Sequence, residues 1–188
     1  MPDIRRADAR RNYARILAVA EEEVGAHGAG ASLEQIARIA GVGSATVRRH
    51  FPTRRALLEA VSRQRIEALC ARARELTGES DSRSALLSWL GDVVVYSASA
   101  RGLAAALAYE GAGPDSVYEN SCATKLEEAG EPLLRRAVRD GAVAADVTVA
   151  ELITLVVGVV LATEGRPDPR GAAERMFRLA VVGISPAV

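Results

Sequence analysis

The chain has 188 residues, 49% of them hydrophobic, and it carries equal numbers of basic and acidic side chains. This length and apolar content allow one large or two modest folded domains and exclude a disordered chain. The charges are unevenly placed, with 12 arginines against 8 acids in residues 1–67 and 12 basic against 16 acidic side chains in the remainder. The asymmetry indicates that only the N-terminal third meets a polyanion, although a purely solvated basic face is the alternative.

Targeting and redox signals are weak in this sequence. Cys70 and Cys122 are the only cysteines, and their spacing is not that of a metal site. The N-terminus lacks the apolar core of a signal peptide, and the most apolar stretch, residues 152–162, is too short to cross a bilayer. We therefore expect a soluble cytoplasmic protein with reduced thiols, without a membrane association, a cofactor or a metal.

Apolar residues recur at helical spacing along almost the whole chain, whereas strand-like alternation is nearly absent. The first helix is predicted over 7–26 and the second begins at Ser32, whose hydroxyl is in capping-box register with Gln35. Further helices are separated by glycine, proline or polar breaks, and Pro132 is expected to kink or subdivide one of them. The pattern predicts an all-α protein with about nine helices.

One segment carries the residues that two helices need to cross steeply through a short turn. Ile36 and Ala37 pair an apolar with a small residue, so that a second helix can approach the first. Gly41, four positions after Ala37, tolerates the positive φ that such a turn requires. Val47 returns an aliphatic side chain to the first helix. The joint match predicts a helix-turn-helix.

The second helix of this motif has the chemistry of a DNA reader. Phe51 is expected in the core, while the opposite face begins with small or hydroxyl-bearing residues that fit against base edges in the major groove. Arginines flank this helix. The next helix begins at Thr53, and the start of a helix is suited to bind a phosphate. The predicted DNA-binding residues are Arg5, Arg6, Arg10, Arg11, Ser32, Ser44, Ala45, Thr46, Arg48, Arg49, His50, Thr53 and Arg54. Each of these residues has an alternative role when it is considered singly. Ser32 is then a plain N-cap, His50 a packing residue and each arginine part of a solvated surface.

The stretch IARIAGVGSATVRRHFPTRRALLEAV, residues 36–61, resembles the DNA-binding domain of TetR-type (tetracycline-repressor-like) regulators, including the corner His50-Phe51-Pro52-Thr53. The resemblance covers about residues 16–61. It implies a homodimer that binds a palindromic operator in double-stranded DNA, usually as a repressor, and is released by a small-molecule effector in the C-terminal domain. On this basis residues 1–52 are assigned to a three-helix DNA-binding domain and residues 53–188 to an effector-binding and dimerisation bundle, linked by the helix that starts at 53.

Three positions depart from the family pattern. Gly43 stands where family members commonly have a serine N-cap, so Ser44 is a candidate to take over and shift the start of the helix by one. Arg48 stands where a tyrosine phosphate contact is common, and it suits either a phosphate or a base. Arg54 replaces the usual lysine and keeps its charge.

In the C-terminal two-thirds of the chain, fewer residues have a chemistry that indicates their role. The family places its dimer interface on the last two helices, and the apolar, small-residue faces here fit that role, with internal core as the alternative. The predicted interface residues are Leu152, Val156, Val159, Val160, Met176, Leu179 and Gly183. An effector pocket is predicted among the middle helices from clustered aromatic residues, with ordinary core packing as the alternative. Its predicted lining is Trp89, Val93, Tyr96, Tyr109, Tyr118 and Cys122.

Catalysis has little support. His27 and His50 are the only histidines, and neither is placed to pair with a cysteine. No glycine-rich phosphate loop follows a strand. The sequence therefore predicts a regulator rather than an enzyme, with a constitutive DNA-binding protein that takes no effector as the alternative function.

Overall fold

The computed structural model describes residues 2–27, 31–109 and 116–184, and the side chains of 8–27, 31–99 and 123–181. Throughout these residues the regular structure is α-helical, as predicted. The eight helices are α1 (Pro2–His27), α2 (Leu33–Ile39), α3 (Ser44–His50), α4 (Arg54–Leu76), α5 (Ser82–Tyr109), α6 (Ser116–Arg139), α7 (Val149–Thr163) and α8 (Pro169–Ile184). None of the described helices is long and apolar enough to cross a membrane.

The helix count is one below the expected nine because α6 runs unbroken through Pro132. A proline inside a helix removes the hydrogen bond to the carbonyl four residues earlier, here that of Glu128. Pro132 and Glu128 are both exposed, so water can satisfy that carbonyl and the helix continues.

The chain forms two compact units. The first comprises residues 1–64 and 100–115, and the second comprises residues 65–99 and 116–188. Each unit has its own apolar core.

In the first unit, the apolar stripe of α1 packs onto α2, α3 and the start of α4. Ile16 and Ala20 are fully buried together with Ile36, Val47 and Leu57. The four-residue spacing in α1 that predicted this helix therefore marks the face that enters the core.

In the second unit, α4, α5, α6, α7 and α8 all contribute to one core, which includes the fully buried Trp89. Helix α6 ends at Arg139, and Gly141, the glycine expected to terminate it, follows with a φ of 72°. The backbone N–H of Ala142 donates to the carbonyl of Ala137, and that of Gly141 donates to Val138, which is a Schellman motif. Arg136 donates to the carbonyls of Thr77 and Ser80 at 2.7 and 3.1 Å and so ties α6 to the turn between α4 and α5.

Candidate nucleic-acid interface

The turn between α2 and α3 has the geometry that its sequence predicted. Gly41 has a φ of 61°. The N–H of Val42 donates to the carbonyl of Ala37 at 3.0 Å and that of Gly41 donates to Arg38 at 3.2 Å, so α2 also ends in a Schellman motif. This closure fixes the direction in which the chain leaves α2 and enters α3.

Helix α3 begins at Ser44 with Gly43 as its N-cap, and no side chain caps it. The expected takeover by Ser44 is therefore wrong: Gly43 keeps the capping position, where its extended backbone (φ −68°, ψ 147°) accepts from Thr46. Because the Ser44 hydroxyl is not used as the N-cap, it remains on the helix surface at the end that the DNA prediction assigns to base contacts.

The two faces of α3 differ sharply in burial. Val47 is 1% exposed and joins the core of the first unit. Ser44, Ala45, Arg48 and Arg49 are exposed, while Thr46 and His50 are half-buried. The residues predicted to read DNA are thus brought together along one outward strip of a short helix.

An aromatic cluster holds the far end of α3. Phe51 is 2% exposed, which confirms its predicted place in the core. The ring of Tyr13 stacks on Phe51 with 5.0 Å between centroids and meets the ring of His50 edge-on at 5.9 Å. His50 therefore has a packing partner in α1, as expected if it is a packing residue.

A charged contact joins the start of α2 to α3. Nη2 of Arg48 lies 3.6 Å from Oε1 of Glu34, and the Ser32 hydroxyl donates to Oε2 of Glu34 at 3.1 Å. The backbone N–H of Glu34, the Ser32 hydroxyl and the Arg48 guanidinium all lower the pKa of the Glu34 carboxyl, so it is ionised at neutral pH.

Ser32 is also the N-cap of α2, and its hydroxyl oxygen accepts from the N–H of Gln35 at 3.3 Å. The reciprocal half of the expected capping box is missing, because the Gln35 side chain accepts instead from Arg38 at 2.7 Å.

The flanking basic residues lie on two helices. Thr53 is exposed and its hydroxyl oxygen accepts from the N–H of Ala56 at 3.1 Å, which caps the start of α4, where Arg54 is half-buried. Arg10 and Arg11 are exposed on α1, and Arg11 pairs with Asp8. Arg5 and Arg6 lie in α1, but their side chains fall outside the described residues.

The predicted effector residues do not form a common lining in the described side chains. Trp89 is fully buried and donates from Nε1 to the carbonyl of Leu69 at 3.1 Å, and Val93 is 1% exposed. Tyr96 packs partly buried against the same core. These contacts favour the core-packing alternative for Trp89 and Val93. Tyr109, Tyr118 and Cys122 have side chains outside the described residues.

A different part of the second unit contains open space. A cavity of about 70 Å³ lies between α5, the α6–α7 connection, α7 and α8, and Arg83 is the charged residue in its otherwise apolar lining. A more open groove of about 490 Å³ runs between α5 and α8 and shares Leu87, Phe177 and Val181 with that cavity. Neither is lined by Trp89, Val93 or Tyr96.

The predicted interface residues divide between core and surface. Val156 and Val160 are 0% and 4% exposed in the core, which favours the internal-core alternative for these two residues. Leu152 and Val159 are partly buried against that core. Met176 and Leu179 are exposed. Gly183 lies outside the residues whose burial is described.

The outward apolar face of α7 and α8 instead includes two residues that the sequence analysis did not single out. Val157 and Leu161 are 43% and 51% exposed on α7, and Met176 and Leu179 are 43% and 61% exposed on α8. Exposed apolar side chains on helices that pack together are typical of a surface that contacts another protein where they form a contiguous patch.

Glu34 is a further residue that sequence reasoning missed. The available signal was its position as the single acid between residues 31 and 53, a segment that also holds Arg38, Arg48 and Arg49. Tyr13 was noted only as part of the stripe of α1, and its exposure of 39% with a stacked Phe51 gives it a place at the edge of the site.

Comparisons with known proteins cover both units. Residues 16–61 match the family described as "Bacterial regulatory proteins, tetR family". Residues 81–186 match the family described as "Transcriptional regulator SbtR-like, C-terminal domain". None of the curated protein sequences matches the chain significantly.

Solved structures give the same answer over almost the full length. A TetR transcriptional regulator from Streptomyces coelicolor is 31% identical, with a TM-score of 0.76 over 94% of this chain and 99% of its own. A TetR regulator from Mycobacterium vanbaalenii is 35% identical, with a TM-score of 0.74 over 96% and 99%. One from Agrobacterium tumefaciens, at 19% identity and a TM-score of 0.68 over 95% of this chain and 100% of its own, shares the fold. The chain therefore belongs to the TetR family of DNA-binding transcriptional regulators, which are not enzymes.

Proposed function

We propose that this regulator reads its operator with the exposed strip of α3 placed in the major groove. The observation that carries the proposal is the two-sided burial of α3: Val47 and the adjoining Phe51 are buried, while Ser44, Ala45 and Arg48 face outward. Small and hydroxyl-bearing residues at the start of a short helix allow close approach to base edges, and arginine suits guanine or phosphate.

Phosphate contacts on both sides of α3 would fix its position without reading sequence. Thr53 and Arg54 stand at the start of α4, where the positive end of the helix dipole favours an anion. Ser32 at the start of α2 and the exposed Arg10 and Arg11 of α1 extend the same role, and Arg5 and Arg6 are assigned to the flanking backbone or minor groove.

The protein is proposed to act as a homodimer through α7 and α8. The supporting observation is the apolar face of Val157, Leu161, Met176 and Leu179, whose side chains are 43–61% exposed. An isologous contact of this face with a second copy would remove these side chains from water. A two-fold dimer presents two recognition helices and therefore suits a palindromic operator.

Replacing one exposed leucine tests the dimer. Leu179→Glu should convert the dimer to a monomer in sedimentation experiments and leave thermal unfolding of the monomer nearly unchanged. Ala144→Glu, at an exposed position of the α6–α7 connection, is the matched control and should remain dimeric. A Leu179→Glu protein that stays dimeric would place the interface elsewhere.

Repression relieved by a small molecule is the proposed mode of regulation, and the apolar cavity beside Arg83 is its proposed site. Its volume of about 70 Å³ admits an apolar group of a few carbon atoms, and a polar or anionic end would lie at Arg83. Phe177 and Val181 line this cavity on α8, the helix whose opposite side carries Leu179. A ligand pressing on Phe177 would thereby act on the proposed dimer face.

Genome-wide mapping of bound DNA tests the DNA-binding proposal. Discrete sites that share an inverted repeat are expected, whereas an absence of enriched sites would overturn it.

A panel of short-chain carboxylates and neutral apolar analogues then tests effector release at such a site. A carboxylate should weaken operator binding, and Leu87→Trp, which fills the cavity wall, should abolish that response with DNA binding intact. Binding that no compound changes would favour the alternative function, a constitutive DNA-binding protein.

A further inference from the structure

A carboxylate stands on the surface proposed to face DNA. Glu34 is the single acid of residues 31–53, in the first turn of α2, and its side chain in the ion pair with Arg48 is 71% exposed. DNA carries a phosphate charge about every 1.7 Å of its axis, so an ionised carboxylate here opposes binding. Its presence therefore calls for a role.

The geometry distinguishes two roles. A carboxylate that orients an arginine for a guanine edge holds it through short, paired hydrogen bonds. Here a single pair of atoms, Nη2 of Arg48 and Oε1 of Glu34, is separated by 3.6 Å, which is longer than a hydrogen bond. The Arg48 side chain is itself 65% exposed, so the contact is loose and Arg48 is free to exchange it for another anion.

The Glu34 side of the contact is better held. Oε2 accepts from the Ser32 hydroxyl at 3.1 Å, and Ser32 is fixed as the N-cap of α2. The carboxylate therefore stays beside α3 when Arg48 leaves it.

On the basis of the proposed DNA-binding surface, we infer that Glu34 competes with DNA phosphates for Arg48. This competition lowers the affinity of the regulator for DNA of arbitrary sequence. Binding without sequence preference depends almost entirely on phosphate contacts, so an arginine that must first give up an internal carboxylate contributes less to it. The competitor is built into α2 and acts on every duplex.

The size of the expected change in DNA affinity is set by the strength of the exposed Glu34–Arg48 pair. Such pairs are worth about 0–1 kcal/mol, equivalent to at most about a fivefold change in an equilibrium constant. Glu34→Gln should therefore bind a random-sequence 30-bp duplex roughly three- to fivefold more tightly at low salt. The salt dependence of log Kd should steepen by up to about one unit, because Arg48 gains a full phosphate contact.

The test compares four proteins on that random-sequence duplex: wild type, Glu34→Gln, Arg48→Ala and the double variant. Glutamine keeps an acceptor for the Ser32 hydroxyl, and equal melting temperatures verify the fold. Glu22→Gln removes the same charge from an exposed position on α1 and should leave affinity nearly unchanged. In the Arg48→Ala background, Glu34→Gln should have little effect.

The outcomes separate this inference from the proposed function. A wild-type protein that ignores the duplex even at low ionic strength would overturn DNA binding by this surface. Wild-type binding with Glu34→Gln no tighter than Glu22→Gln would overturn the inference alone. Weaker binding by Glu34→Gln would mean that Glu34 orients Arg48. An equal gain with and without Arg48 would mean direct repulsion of DNA instead of competition.

Discussion

The ring of Tyr13 in α1 stacks on Phe51, which follows α3, with 5.0 Å between centroids and 28° between planes. Phe51 is 2% exposed and Tyr13 is 39% exposed, so the first ring is a core residue and the second covers it from the solvent side. This pair connects the long first helix to the end of the recognition helix, and the orientation of α3 depends on it.

Phe51→Ala should lower the free energy of unfolding of the first unit by about 3–5 kcal/mol, because it removes a fully buried ring and leaves a cavity. Tyr13→Ala should cost about 1 kcal/mol, in the range of an aromatic pair at a partly exposed site. Urea unfolding followed by circular dichroism measures both. Equal losses for the two variants would contradict the assignment of Phe51 to the core and Tyr13 to its cover.

Gly41→Ala should destabilise the first unit by about 1–2 kcal/mol, since an L side chain at a φ of 61° is strained even with open space around it. Gly165→Ala, in the connection between α7 and α8, is the control, because Gly165 does not have a positive φ and its site is equally open. Thermal unfolding should separate the two variants by several degrees. A neutral Gly41→Ala would show that the turn accommodates another backbone conformation.

Gly130→Ala should destabilise the second unit by about 1–3 kcal/mol through overpacking. A Cβ at Gly130 would come within 2.6 Å of two ring atoms of the buried Trp89. Gly91→Ala, in α5 with nothing near its added methyl, should instead stabilise by about 0.5–1 kcal/mol through helix propensity. Chemical unfolding checks that the two substitutions change the free energy of unfolding in opposite directions. If Gly130→Ala leaves this free energy unchanged, Trp89 can move and is not part of a rigid core.

The helix-turn-helix could be predicted from the sequence because its requirements are local. The small Ala37, the permissive Gly41 and the inward Val47 lie within eleven residues, and one register satisfies all three. Burial and backbone angles bear out each of them.

The residues of the proposed dimer face and the proposed effector site were harder to predict because their burial depends on contacts distant in sequence. Helix α7 is apolar nearly all round, so its periodicity does not decide whether Val156 or Val157 faces inward; packing against the rest of the second unit buries Val156. The carbonyl of Leu69 that receives the Trp89 N–H is 20 residues away, and the Glu34–Arg48 contact crosses between helices. Neither contact leaves a periodic signal.

Arg54→Ala should weaken binding to all duplexes alike and reduce the salt slope by about one unit, because one fewer counterion is released. Arg166→Ala, an exposed arginine in the connection between α7 and α8, is the control and should leave the slope unchanged. Fluorescence anisotropy across a salt series measures both. A slope that Arg54→Ala does not change would remove the phosphate role from this residue.

The central claim is that the outward strip of α3 reads bases, and selection from a pool of random duplexes tests it most directly. Wild type and Ser44→Ala are each carried through the selection, and the preferred sequences are compared. Because Ser44 stands at the exposed start of α3, the account predicts that removing its hydroxyl changes the preferred base at symmetric positions of the two half-sites. Identical preferred sequences, with affinity lowered equally on every duplex, would contradict it.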